Sequence, residues 1–257
     1  MIMKILRSLA VYLYVAGKVV YGARYFEKLE KQKDVLGEAV VAQKVHAYAK
    51  KMAQNAFKLS GATFVLKGAE NLPKEGAALY VANHQSYVDV AAVLSAIERP
   101  VGFVLKDDLE GIPFFDKWIT HMQCVPIARG EARKALEAIL KAAKLMKNGH
   151  DMMLFPEGTR SKDGTLLPFK AGSLKSAQRG NAMIVPMAID GACNVLTRGK
   201  YIMHPKQVTV TVFPPIPVET VKEMDTVDLA LLVRNQIAGA LGQPLLKKED
   251  TLQNEEA

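Results

Sequence analysis

Two short segments carry the residue types from which a reaction could be built. The first, Asn83-His84-Gln85-Ser86-Tyr87-Val88-Asp89, sets an imidazole and a carboxylate five residues apart. A separation of five does not place two side chains on one helical face, where neighbours are three or four apart. A His in a loop and an Asp in the first turn of the helix that follows can nevertheless meet, because the chain reverses between them. An Asp bonded to one imidazole nitrogen would fix the tautomer and leave the other nitrogen free to take a proton. The chain has no G-x-S-x-G, and neither Cys124 nor Cys193 lies in a nucleophile motif. Such a His would therefore act on a substrate hydroxyl and not on an enzyme Ser or Cys. Ser86 and Asp89 also stand in the S-x-x-D spacing of a helix start, which offers a structural reading: Asp89 supports the helix and His84 is an ordinary loop residue.

The second segment is Phe155-Pro156-Glu157-Gly158-Thr159-Arg160-Ser161, followed by Pro168-Phe169-Lys170-Ala171-Gly172. A glycine permits close backbone approach, a Thr hydroxyl and amides supply donors, and Arg160 supplies a planar fork suited to phosphate oxygens. The pattern is that of a phosphate grip without a Walker lysine. Seen alone, it equally fits a strand-to-turn junction in which Arg160 pairs with Glu157 or Asp163.

Both segments need elements to hold them. From residue 62 onward, short β-rich runs alternate with helical patterns. Strands are expected at 62–67, 77–82, 101–105, 123–128, 152–155, 183–189 and 208–213. Helices are expected at 91–97 and at 131–147, the latter with Leu136, Ile139, Leu140, Ala143 and Met146 on one face. Alternating strands and helices imply an α/β fold with a mostly parallel sheet flanked by helices. Such sheets place ligand sites at strand C-termini, where both segments fall.

Composition bounds the rest. The chain of 257 residues is 49% hydrophobic and 23% charged, which excludes disordered and collagen-like classes, and two isolated cysteines give no zinc or disulfide framework. The net charge of +8 is concentrated in residues 1–60, which hold eleven Lys/Arg against four Asp/Glu. Tyr12, Tyr14, Tyr21, Tyr25 and Phe26 are interleaved with that charge, a composition suited to an anionic membrane surface. Lys18 interrupts the apolar run after Ser8, so a span is not expected, and no A-x-A-like cleavage site follows. Leu36, Val40, Val41, Val45, Tyr48, Met52 and Ala56 recur at helical spacing, so residues 1–58 read as a basic amphipathic helical pair. That second helix could dock on lipid or pack on the domain behind it. No nucleic-acid recognition motif accompanies the charge. The α/β domain is expected at 59–246 and a polar tail at 247–257.

The two segments, in this order and about 70 residues apart, resemble the glycerolipid acyltransferase family, within it the branch that acylates lysophosphatidic acid. Lys106, Pro113 and Arg129 match the block between them, and Val185-Pro186 matches a late block; Asp116 departs from the small residue usual after the aromatic pair. The resemblance covers about residues 60–215. It implies transfer of an acyl chain from acyl-CoA or acyl-carrier protein to the sn-2 hydroxyl, giving phosphatidic acid, without a metal or organic cofactor. It implies His84 as general base supported by Asp89. Glu157, Gly158, Thr159 and Arg160, with Arg129, would hold the acceptor phosphate. Lys106 would serve either the thioester oxyanion or that phosphate. The enzyme would sit at the cytoplasmic face of a membrane. The same motifs also suit glycerol-3-phosphate or another lysophospholipid as acceptor, and a non-catalytic membrane-binding module would share the fold.

Overall fold

Runs of three to eight residues rich in Val, Ile, Leu and Met become the strands of one sheet. The computed structural model describes residues 1–128 and 131–249. Its strands are β1 (Thr63–Lys67), β2 (Ala78–Ala82), β3 (Val101–Lys106), β4 (Val125–Ile127), β5 (Asp151–Leu154), β6 (Met183–Asp190) and β7 (Gln207–Val212). All seven expected strands are present. They lie in the order β1-β7-β6-β2-β5-β3-β4, and only the β6–β7 pairing is antiparallel. Leu79 faces Met152 and Val81 faces Leu154 across the β2–β5 pair, which fixes the two central strand ends side by side. Every residue of β2 and β5 is buried, as expected of parallel strands covered on both faces.

The helices are α1 (Ile2–Glu30), α2 (Lys33–Leu36), α3 (Glu38–Ser60), α4 (Val88–Ala96), α5 (Phe115–His121), α6 (Ala132–Lys147), α7 (Ala171–Gly180), α8 (Ala192–Val195), α9 (Val218–Glu223) and α10 (Thr226–Ala240). Strand alternation divides them into two layers. Ala78, Tyr80 and Ala82 join one core with α1, α3, α4 and α5, while Leu79 and Val81 join the other with α6, α7 and α10.

The first sixty residues form an α1–α3 hairpin whose inner face belongs to the first core. Phe26, Val45, Ala49 and Phe57 are buried in it. Trp118 Nε1–H donates to the Val19 carbonyl at 3.0 Å, and its ring lies 4.8 Å from that of Phe26. A Cβ at Gly22 would meet Trp118 at 2.5 Å, so only glycine allows this approach. The apolar stripe of α3 is thus used for packing on the domain. The exposed apolar surface lies instead on α1, where Ile2, Leu6, Leu9 and Leu13 follow one face and are 73%, 60%, 53% and 65% exposed. No described helix is long and apolar enough to cross a membrane.

The expected inner face of α6 is corrected. Ala138, Ala142, Ala143 and Met146 are buried, whereas Leu136 and Leu140 are exposed. The reason is close packing against α7, where a Cβ at Gly180 would meet Met146 Cβ at 2.9 Å. So tight a crossing selects the alanine stripe over the leucines.

Candidate active site

β2 ends at Ala82 and α4 begins at Val88, so the five residues between them form a loop at the strand C-terminus. Asn83 anchors it. The side-chain amide donates to the Ile189 carbonyl, and its oxygen accepts from Ile189 N–H, both at 2.8 Å. Asp89, in the first turn of α4, is wholly buried, and one of its oxygens, Oδ2, gathers three donors. His84 Nδ1 lies at 2.7 Å, Gln85 N–H at 2.6 Å and Ser86 N–H at 2.7 Å. A carboxylate only accepts, so the His84 proton sits on Nδ1 and the lone pair on Nε2. Phe155 stacks on the imidazole with ring centres 4.2 Å apart and planes 17° apart. The ring is therefore held at its edge by Asp89 and on one face by Phe155.

The Phe155–Ser161 segment follows β5, the neighbour of β2, and is sewn to the His84 loop. Ser161 N–H donates to the His84 carbonyl at 2.8 Å, and Gln85 Nε2 donates to the Gly164 carbonyl at 3.0 Å. Gly158 takes a φ of +68°, a conformation suited to glycine, and Lys170 lies over it: a Cβ there would come within 3.4 Å of Nζ. Arg160 pairs with no acid among the described residues; its guanidinium stacks on the Tyr87 ring, 3.8 Å from the centroid. Asp163 is engaged locally with Thr165 N–H at 3.0 Å and the Ser161 hydroxyl at 3.2 Å. The Thr165 amide, with the other local donors, holds its carboxyl below the usual range.

Glu157, one of the residues expected at the acceptor phosphate, is held by backbone amides. It is buried, with Oε1 accepting from His84 N–H at 2.5 Å and Oε2 from Leu167 N–H at 3.0 Å. Burial pushes its carboxyl up to about 8 in spite of the two amide donors. A carboxyl shared between two backbone amides ties the His84 loop to the Leu167 segment. Lys106 ends β3 and pairs with Asp108. Arg129 lies outside the described residues. Asp116, the departure noted in the sequence, sits exposed in the first turn of α5, and the turn before it is made by Phe114 in the left-handed region.

Beside this site lies a cavity of about 590 Å³ walled by α1, α3, α4 and the segment 195–203, with Val11, Phe57, Leu94 and Met203 among its apolar lining. Ser86, Tyr87 and Arg160 line it too, which sets the cavity against the His84 loop. Sequence reading missed Phe155 as a stacking partner, Tyr87 as the support of Arg160, and Arg198, whose guanidinium donates to the Arg160 carbonyl. Phe155 and Tyr87 stood inside the motifs; Arg198 stood in none.

The arrangement comprises an oriented imidazole, a guanidinium with no counter-ion among the described residues and an apolar cavity. A family model described as Acyltransferase matches residues 63–190, which include both motifs. The chloroplastic 1-acyl-sn-glycerol-3-phosphate acyltransferase BAT2 of Brassica napus is 33% identical over 153 residues, 59% of this chain and 44% of that protein. The chain thus spans less than half the length of that plant relative. A 1-acyl-sn-glycerol-3-phosphate acyltransferase of Borreliella burgdorferi is 29% identical over 183 residues, 71% of this chain and 73% of its own. The crystal structure of the 1-acyl-sn-glycerophosphate (LPA) acyltransferase PlsC from Thermotoga maritima matches with a TM-score of 0.79 at 26% identity, covering 96% of this chain and 99% of that one. The motifs, the sheet that presents them and these relatives agree that the chain belongs to the acyltransferase family.

Proposed function

We propose that the protein transfers an acyl chain from a thioester, acyl-CoA or acyl-carrier protein, to the sn-2 hydroxyl of lysophosphatidic acid, forming phosphatidic acid. The observation that carries the reading is the 2.7 Å bond between His84 Nδ1 and Asp89 Oδ2, which leaves Nε2 free beside the Arg160 loop. Nε2 removes the hydroxyl proton as the oxygen attacks the thioester carbonyl. The C–O bond forms, the C–S bond breaks, and the departing thiolate takes the proton back from the imidazolium. The buried carboxylate of Asp89 stabilises that imidazolium while it exists.

Arg160, with the Gly158 and Thr159 segment, grips the acceptor phosphate, because the hydroxyl must be fixed in front of His84 for the transfer to be fast. Arg129 is assigned to the same phosphate from its motif alone. Lys106 serves either that phosphate or the thioester oxyanion. Glu157 acts through the backbone of His84 as a positioning residue. The exposed apolar stripe of α1, set in a basic hairpin, supports docking on an anionic membrane surface from which both lipid acceptor and product are exchanged.

The test is thiol release by the purified full chain, with lysophosphatidic acid and a series of acyl-CoA and acyl-carrier-protein donors. Release should depend on the acceptor and vanish in His84→Ala, whose fold is retained because the ring sits in a loop at a strand end. More than a tenth of wild-type kcat in that variant overturns the base assignment. Arg160→Ala should raise KM for lysophosphatidic acid by about 10-fold or more, as expected for a lost guanidinium–phosphate bond.

A further inference from the structure

The rim of the apolar cavity carries three cations, Arg160, Arg198 and Lys200, and among the described residues no Asp or Glu lines it. Among the described residues none of the three makes an ion pair, although ten other basic or His side chains do. Arg198 is moreover drawn toward Arg160, because its guanidinium donates to the Arg160 carbonyl. Gathering like charges without a counter-ion costs electrostatic energy that an anionic ligand would recover. One donor of Arg198 is spent on that carbonyl, and the others remain for a ligand.

The segment that carries Arg198 and Lys200 is also held in place. Lys200 N–H closes a turn on the Thr197 carbonyl at 3.0 Å. From α1, the Tyr12 hydroxyl donates to the Tyr201 carbonyl at 2.8 Å, and Ser8 Oγ accepts from Met203 N–H at 2.8 Å. The cations therefore stand on a turn clasped by the hairpin, above an apolar chamber. A headgroup of high negative charge on a single apolar chain is the chemistry that fits both halves.

We propose that Arg198 and Lys200 join Arg160 in a clamp that reads the charge of the acceptor headgroup, making the site selective for phosphate monoesters over phosphodiesters that carry a cation. This deepens the function proposed above and rests on it. Neither residue touches the reacting hydroxyl; they are specificity-determining residues for binding.

The experiment pairs turnover with equilibrium binding. Wild type, Arg198→Ala, Arg198→Lys, Arg198→Gln and Lys200→Ala are titrated with hexadecyl phosphate and with hexadecylphosphocholine below their critical micelle concentrations, and assayed with lysophosphatidic acid. Arg198→Ala should weaken hexadecyl phosphate binding and raise KM by about 10-fold or more, with kcat within about 3-fold, because a charged bond present in both ground and transition states is lost. Arg198→Lys should recover part of the preference for the monoester. Arg198→Gln, which keeps a donor for the Arg160 carbonyl but no charge, should not. Lys200→Ala makes no bond to the Arg160 loop and should lower the same preference, so the test survives if the Arg198 variants fail to fold. Unchanged monoester-to-phosphocholine selectivity in both Arg198→Gln and Lys200→Ala overturns the clamp while leaving the acyltransfer reading intact. Charge-dependent binding of hexadecyl phosphate by a wild-type chain that acylates no lysophosphatidic acid supports the clamp and overturns the acyltransfer reading.

Discussion

Asp89→Asn separates the two roles that the spacing of this residue permits, and the structure sets its size. In the native chain three donors converge on Oδ2: Nδ1 of His84 and the backbone N–H groups of Gln85 and Ser86. An amide placed here has to choose which end to present. Presenting its NH₂ would set donor against donor at two buried backbone amides, each costing about 1–3 kcal/mol when left unsatisfied. The carbonyl oxygen therefore takes the Oδ2 position, and His84 keeps its Nδ1–H tautomer. What the substitution removes is the negative charge opposite the imidazolium. Losing the charge-assisted character of that bond is worth about 1.5–3 kcal/mol, or about 10- to 150-fold in kcat. That is well short of the roughly 10⁴-fold that follows when an Asp→Asn change inverts the tautomer in a serine-protease triad. Stability should fall too, because the two amide bonds become neutral ones; at about 1–2 kcal/mol, the melting temperature drops by about 2–8 °C. Single-turnover acyl transfer and thermal unfolding on the same preparation provide the measurement. Turnover within about 3-fold of wild type with a lowered melting temperature would falsify the catalytic role and leave Asp89 as a helix support. A loss near 10⁴-fold would mean that the backbone amides do not dictate the orientation.

Three further outcomes are expected. Phe155→Leu removes the ring stacked on His84 and should lower kcat by about 3- to 10-fold with KM for lysophosphatidic acid little changed, since such a stack is worth about 0.5–1.5 kcal/mol; Phe155→Tyr should restore most of the rate, and an equal loss in both variants would deny the stack a role. Leu6→Glu combined with Leu13→Glu should release the protein from anionic vesicles by about 100-fold or more, each leucine contributing about 1.5–3 kcal/mol when buried in lipid. Both side chains are exposed, so the fold should hold, and unchanged sedimentation with vesicles would move the docking surface elsewhere. Burial lowers the pKa of His46, which bonds the Ile97 carbonyl at 3.0 Å and faces Lys50 and Glu98, with His121, His150 and Asp151 around the adjoining cavity. Its folded form prefers to stay neutral, so its share of stability is complete above the unfolded value of 6.5 and is lost as pH falls below it. In His46→Leu the slope of unfolding free energy between pH 6.5 and 5 should flatten by up to about 1.4 kcal/mol per pH unit, and an unaltered slope would locate the acid sensitivity in other groups.

Much of the architecture was legible because the information is local. Val, Ile, Leu and Met runs between turn residues mark strands, and a strand buried on both faces is continuously apolar; hence Ala78–Ala82 and Asp151–Leu154 could be located within one residue. Both motifs immediately follow strands, so a parallel sheet had to present them on one edge. The His84–Asp89 pairing was legible for the same reason, since five residues of loop join a strand to a helix there.

Tertiary structure decided what depends on partners distant in the chain. Periodicity shows that α3 and α6 are amphipathic, yet it does not tell which neighbour covers them. Helix α3 spends its stripe on the domain, which leaves the exposed apolar stripe to α1. In α6 the approach of Gly180 favours alanines over Leu136 and Leu140. Glu157 sits in a motif that invites a ligand role, but its carboxyl is claimed by amides at positions 84 and 167, the first of them 73 residues away. Arg198 lies in no motif at all and reaches the site only because its turn is folded back onto the Arg160 loop and clasped by α1. Spacing along the chain determines which groups can stand at a strand end; only the packing of remote elements decides where each side chain finds its hydrogen bonds, and so which of those groups stays free for a substrate.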